Sequence, residues 1–184
     1  MPENTENRTM ETSEESVRIR AYDDADFAAV AALWSRINRE LAPADMRAAF
    51  EHYIAAAIDA ELMHLKGIFA QARRNAFWVV DSGQGIIGSF GIESRGADTT
   101  ELRRMYLDRD HRGRGIARRM LDCAESRARE LGFSRVILST AEIQQAAIAF
   151  YTKCGFRMLR TEIAAAMTAS AVGGGMTRLH FEKR

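Results

Sequence analysis

Only two cysteines, Cys123 and Cys154, occur in the 184 residues. A disulfide framework is thereby excluded, and their spacing matches no zinc site, so reduced thiols in a cytoplasmic protein are expected and no metal ligands. Charge of one sign is equally scarce. The net charge is +1, which provides no global attraction to nucleic acid or to an anionic membrane. Long apolar runs are missing too. The most apolar stretch, "YIAAAIDAELMHLKGIFA", is interrupted by Asp59, Glu61, His64 and Lys66, whereas a membrane span needs ~20 predominantly apolar residues. The beginning, "MPENTENRTMETSEES", is polar and acidic, unlike a signal or transit peptide. No internal repeat occurs.

What is present fits one domain with an ordinary core: 47% hydrophobic and 28% charged residues. Residues 1–16 lack apolar anchors and are expected to be a disordered tail ahead of a single domain over 17–184. "VRIRAY" alternates as a strand, and "DDAD" offers a helix cap. Phe27, Val30, Trp34 and Ile37 recur at helical spacing, predicting a helix over 24–38. From Pro43 a second helical region is expected over about 44–73, with a break near Gly67. "AFWVVD", "SGQG" and "IIGSFGIES" form a hairpin pattern, and "ELRRMYLD" a third extended run whose imperfect alternation signals a bulge or a strand buried on both faces. An amphipathic helix then carries Ala117, Met120, Leu121, Ala124 and Ala128, with Gly132 as its stop. The strand "SRVILST", a short helix ending at Gly155, and the strands "FRMLRTEI" and "MTRLHFEK" complete the chain, the last two joined by a small-residue loop expected to be mobile. The order β α α β β β α β α β β gives an α/β fold with a mixed sheet, in which the unit over 101–139 joins two parallel neighbours.

The chemistry gathers at "HRGRGIA", His111 to Ala117, where a helix begins. A helix N-terminus exposes unpaired N–H groups and a partial positive charge, a ready site for an anion. Gly113 and Gly115 permit close approach. Seven arginines lie between Arg103 and Arg119 against Asp108 and Asp110. The P-loop is excluded, since no Lys follows, and so is the dinucleotide fingerprint, since Arg118 stands where Gly or Ala is required. What remains is R-x-x-G-x-A (Arg112, Gly115, Ala117), either a polyphosphate cradle or an Arg-rich surface turn.

"ELRRMYLDRDHRGRGIARRML", followed some twenty residues later by "AAIAFYTKCGF", resembles the GNAT superfamily of acyl-CoA-dependent N-acetyltransferases. The family's [QR]-x-x-G-x-[GA] is similar to Arg112, Gly113, Arg114, Gly115, Ile116 and Ala117, and its A-x-x-x-Y-x-x-x-G-F to Ala147, Tyr151, Gly155 and Phe156. The resemblance runs from roughly 17 to 160. It implies a mixed, mostly antiparallel, splayed sheet of six to seven strands flanked by about four helices. It further implies that Met105, Tyr106 and Leu107 offer backbone groups to the pantetheine arm of acetyl-CoA, that the amides of 112–117 hold its pyrophosphate, and that Gln144 stands where many members have an Asn on the cofactor.

The implied reaction is direct attack of a primary amine on the thioester in a ternary complex, which needs positioning, a base for the amine and an acid for the departing thiolate. By the resemblance Tyr151 is the acid, beside the sulfur; its hydroxyl stays protonated at neutral pH. Ser139 occupies the place of one family base, leaving Glu101, at the start of the cofactor-binding strand, as the candidate; its alternative is a structural pair with Arg103. Glu93 is a weaker substitute. His52, His64 and His111 are read as solvated, Trp34 and Trp78 as core, and Met63 and Phe69 as core rather than pocket wall. The alternative function is a non-catalytic acyl-CoA sensor or interaction module. The acceptor is a small-molecule or peptide amine, with amino acid, polyamine, antibiotic and protein N-terminus all open. A homodimer is compatible with the apolar final strands. Nucleic acid and membrane are not expected partners.

Overall fold

In the computed structural model residues 17–69, 73–166, 168 and 172–184 are described. The expected tail over 1–16 and part of the expected mobile loop lie outside them. Seven strands form one sheet in the order β1-β2-β3-β4-β5-β7-β6. They are β1 (Arg18–Ala21), β2 (Ala76–Asp81), β3 (Ile86–Ser94), β4 (Thr99–Leu107), β5 (Arg135–Ala141), β6 (Arg157–Ala164) and β7 (Met176–Lys183). The helices are α1 (Phe27–Leu41), α2 (Arg47–Ala60), the single turn α3 (Leu65–Ile68), α4 (Ile116–Glu130) and α5 (Gln145–Lys153). Among the seven strands β4 and β5 pair in parallel, across the α4 crossover, and the β1–β2, β2–β3, β3–β4, β5–β7 and β6–β7 pairings are antiparallel.

The period of two in β2 divides the core. Phe77 and Val79 pack with Val30, Trp34, Leu62 and Leu65 on the α1–α3 side. Val80, with Ala76 and Trp78 against it, packs with Met120, Leu121 and Ala124 on the α4 side. Each helix buries one apolar stripe, so the sheet is covered on both faces. The start of α1 is fixed by chemistry read in "DDAD". Asp23 and Asp26 form a reciprocal capping box, and Arg20 reaches Asp26 at 2.7 Å and Asp81 at 3.2 Å, tying β1 to both neighbours.

Two local departures shape the site. Ser89 pairs with Tyr106 but Gly91 with Arg103, so β4 carries one extra residue, and Arg104 takes φ 52°. The imperfect alternation of β4 is therefore a bulge. It is held by Ser89, whose hydroxyl donates to the Arg104 carbonyl at 3.1 Å and accepts from the Trp34 indole at 2.9 Å. The second departure is in the helical region, which breaks at Glu61 rather than near Gly67; Gly67 lies inside α3. Glu61 ends α2 because its carboxylate is drawn inward to Arg103 and Arg104. No helix among the described residues is long and apolar enough to cross a membrane.

Candidate active site

Strands β4 and β5 are hydrogen-bonded only from Thr99 to Glu101 and from Arg135 to Ile137. Beyond that point β4 continues to Leu107 and β5 to Ala141 without pairing to each other, and the sheet opens into a cleft. Its cavity volume is ≈ 140 Å³, and its walls include Glu101, Met105, Tyr106, Ser139, Gln144, Tyr151 and Arg178. An opened strand edge leaves backbone donors and acceptors needing partners, which an extended, amide-bearing molecule can supply.

At the end of β4, Asp108 accepts the Asp110 amide at 3.0 Å and pairs with Arg36 of α1, fixing the turn over Arg109–His111. Burial opposes the charge of Asp108, but the Asp110 amide and Arg36 hold its carboxyl below the usual range. The chain then enters α4 through Gly113 and Gly115, both at φ 76°. The left-handed backbone is what requires glycine here. A Cβ at either position would meet no protein atom within 4 Å, so the space before the helix is open to a ligand. The amides of 113–118 donate to no protein acceptor among the described residues. The Arg112 amide donates to the Arg109 carbonyl at 3.2 Å and its Nε to the Leu107 carbonyl at 3.1 Å, stapling the loop to the strand end. Ile116 is buried and anchors the helix, leaving its first turn facing outward.

Tyr151, on α5, is only 7% exposed, packed between Phe150 and Phe156. Burial, with Tyr106 and Cys154 adding to it, pushes its hydroxyl well above the ordinary tyrosine value, so it keeps its proton throughout the neutral range. Gln144, just before α5, turns its side chain back to the end of β5: its Oε1 accepts from the Thr140 hydroxyl at 2.6 Å and the Ala141 amide at 3.0 Å. Only its NH₂ group remains for a ligand.

Glu101 sits at the last paired position before the strands part, opposite Glu93. Its partner is Arg95, at 2.5 Å, and not Arg103. Arg103 is taken by Glu61 and Glu93, each at 2.5 Å. Arg104 bonds Glu61 at 2.7 Å and the Tyr53 hydroxyl at 2.8 Å, and lies over the Trp34 ring. Burial works against the charge of Arg104, yet Tyr53, Tyr106 and Glu61 hold it more firmly protonated than usual. Three arginines (95, 103, 104) and three glutamates (61, 93, 101) thus form one balanced cluster on one wall. Glu61, Tyr53 and Arg178 are the site residues that sequence reasoning missed. The one available signal was an acid, Glu61, in the apolar stretch that follows α2. His111 is half-buried, 3.8 Å from Asp108, rather than fully solvated. Met63 is 61% exposed, not core, while Trp34 and Phe69 are core as read.

Solved structures share this fold. The PaiA N-acetyltransferase from Thermoplasma acidophilum, solved in complex with coenzyme A, superposes with a TM-score of 0.72 at 19% identity, covering 92% of this chain and 99% of that one. N-acetyltransferase 8 of Rattus norvegicus is 27% identical over 113 residues, 59% of this chain and 51% of that protein. An uncharacterized N-acetyltransferase of Escherichia coli (strain K12), YjgM, is 35% identical over 101 residues, 53% of this chain and 60% of that protein. The chain spans about half the length of the mammalian relatives it matches. The model of the acetyltransferase (GNAT) family matches residues 27–156, and the chain belongs to that family.

Proposed function

We propose that residues 17–184 form one N-acetyltransferase domain that moves the acetyl group of acetyl-CoA to a primary amine by direct attack in a ternary complex. The observation that carries this is the combination of an open β4 edge with a helix mouth whose amides, 113–118, have no protein acceptor among the described residues. The residues fit the donor. The amides at the α4 mouth would hold the diphosphate, with Arg112 and Arg114 next to them in the chain. The edge at Met105, Tyr106 and Leu107 suits the amide-bearing pantetheine arm, and the Gln144 NH₂ group is free to donate. Bound there, acetyl-CoA supplies the activated acyl carbon.

The chain supplies two protons' worth of chemistry. Glu101, held by Arg95 where the strands part, takes the proton the nitrogen loses as the C–N bond forms, directly or through a water. Tyr151 donates its hydroxyl proton to the sulfur as the C–S bond breaks, and regains one from solvent. Burial keeps that hydroxyl protonated at neutral pH but also weakens it as an acid, so it donates only as negative charge builds on the departing sulfur. Cytoplasmic residence suits the free thiols Cys123 and Cys154. The test is release of free thiol from acetyl-CoA across a panel of amines, with calorimetry of acetyl-CoA alongside. Amine-dependent release supports the assignment. Binding without release on any amine contradicts it in favour of a sensor.

A further inference from the structure

One cation of the cleft stands outside the balanced cluster. Arg178, near the start of β7, pairs in register with Ala141 and lines the cleft with Ser139. It donates to the Ser139 hydroxyl, an uncharged partner. Glu162, across from it on β6, is engaged by Arg160 at 2.8 Å and His180 at 3.0 Å. No carboxylate among the described residues pairs with Arg178. A guanidinium has five N–H donors in a planar fork, and one hydroxyl satisfies a single donor. The same cleft is lined in part by apolar side chains: Leu41, Phe50, Ala164, Val172 and Met176.

We infer that Arg178 receives a carboxylate of the acceptor, so that the substrate class is an amino acid with an apolar side chain rather than a polyamine. This deepens the acetyl-transfer reading and rests on it. Ser139 takes one donor of the fork, and the remaining donors of this cleft-lining guanidinium suit a bidentate carboxylate. A polyamine would meet a positive wall with no spare acid, because Glu61, Glu93 and Glu101 are already matched by arginines. The sequence carries this residue in "MTRLHFEK", but only the β5–β7 pairing reveals that it faces the cleft.

Thiol release is measured with L-leucine against L-leucinamide, L-phenylalanine against L-phenylalaninamide, and spermidine, at saturating acetyl-CoA. The free acids are expected to exceed their amides roughly tenfold or more in kcat/KM, the worth of a charged hydrogen bond. In Arg178→Gln the acid-over-amide ratio of kcat/KM collapses, and it does so through KM for the free acids. Arg178→Lys restores part of it. Equal rates on acid and amide, a preference for spermidine, or an unaltered ratio in Arg178→Gln would overturn the inference while leaving acetyl transfer intact. If no amine releases thiol, acetyl transfer itself fails. Titration of N-acetyl-L-leucine into the protein, with and without coenzyme A, then reads the clamp alone. It is supported by a roughly tenfold loss of affinity in Arg178→Gln and refuted by none.

Discussion

Replacing Glu61 by Gln tests how the cleft wall is built. Its carboxylate is 7% exposed and is shared by Arg103, 13% exposed, and Arg104, 5% exposed. Arg104 is further committed, since the bulge holds its backbone at φ 52°, so its side chain is not free to swing into water. Removing one partner of a buried charge pair costs ~3–5 kcal/mol because the remaining charge keeps its desolvation penalty. Arg103 retains Glu93, and Arg104 retains Tyr53 and the Trp34 face, so the low end, about 3 kcal/mol, applies. At roughly 2–4 °C per kcal/mol for a chain of this size, the midpoint of thermal unfolding should drop by about 6–12 °C. Urea unfolding followed by far-UV circular dichroism gives the free energy directly. A loss under about 1 kcal/mol, the worth of a surface pair, would show that the cluster is solvated and refute the reasoning. The paired replacement Glu61→Leu with Arg104→Met should recover most of the loss, since apolar residues carry no stranded charge.

Tyr151→Phe should lower kcat roughly 10²-fold with acetyl-CoA affinity kept, read by thiol release and calorimetry; unchanged turnover at saturation rejects Tyr151 as the acid. Burial raises the hydroxyls of Tyr53 and Tyr151 above the ordinary value, so their share of stability is whole below about pH 10 and is lost as pH climbs through the folded values. Urea midpoints should therefore be insensitive to these two groups from pH 7 to 9 and fall beyond 10, and the fall should shrink when both are Phe; a rise beyond 10 contradicts the sign. Gly91→Ala should destabilise by about 1–3 kcal/mol, because its Cβ would lie 2.6 Å from the Phe77 ring and 2.9 Å from the Ala76 carbonyl; a neutral variant in chemical denaturation would show that this part of the sheet yields.

Local chemistry was readable in the sequence wherever one element carried its own signal. The α4 stripe of Met120, Leu121 and Ala124, the glycine stops at 132 and 155, and the hairpin around Ser82–Gly85 need no distant partner to be recognised. The glycine pair before α4 was legible as a helix entry, and its left-handed φ is a reason only the structure displays. Long-range pairings were not legible. Glu101 turns to Arg95 because Arg103 is claimed by Glu61, which is 42 residues away in sequence. The break at Glu61 has the same origin: local propensity favours continuing α2, and burial of two arginines overrides it. Arg178 reads as an ordinary strand residue until β7 is set beside β5.

Binding of acetyl-CoA by calorimetry to Gly115→Asp, with wild type and Gly115→Asn beside it, tests the helix mouth most directly. Both side chains tolerate the left-handed backbone and fill similar space, and only one adds a negative charge. A diphosphate held by the amides of 113–118 predicts affinity for the Asp variant roughly tenfold or more below that for Asn. Equal affinities in the two variants would place the diphosphate elsewhere and contradict the account.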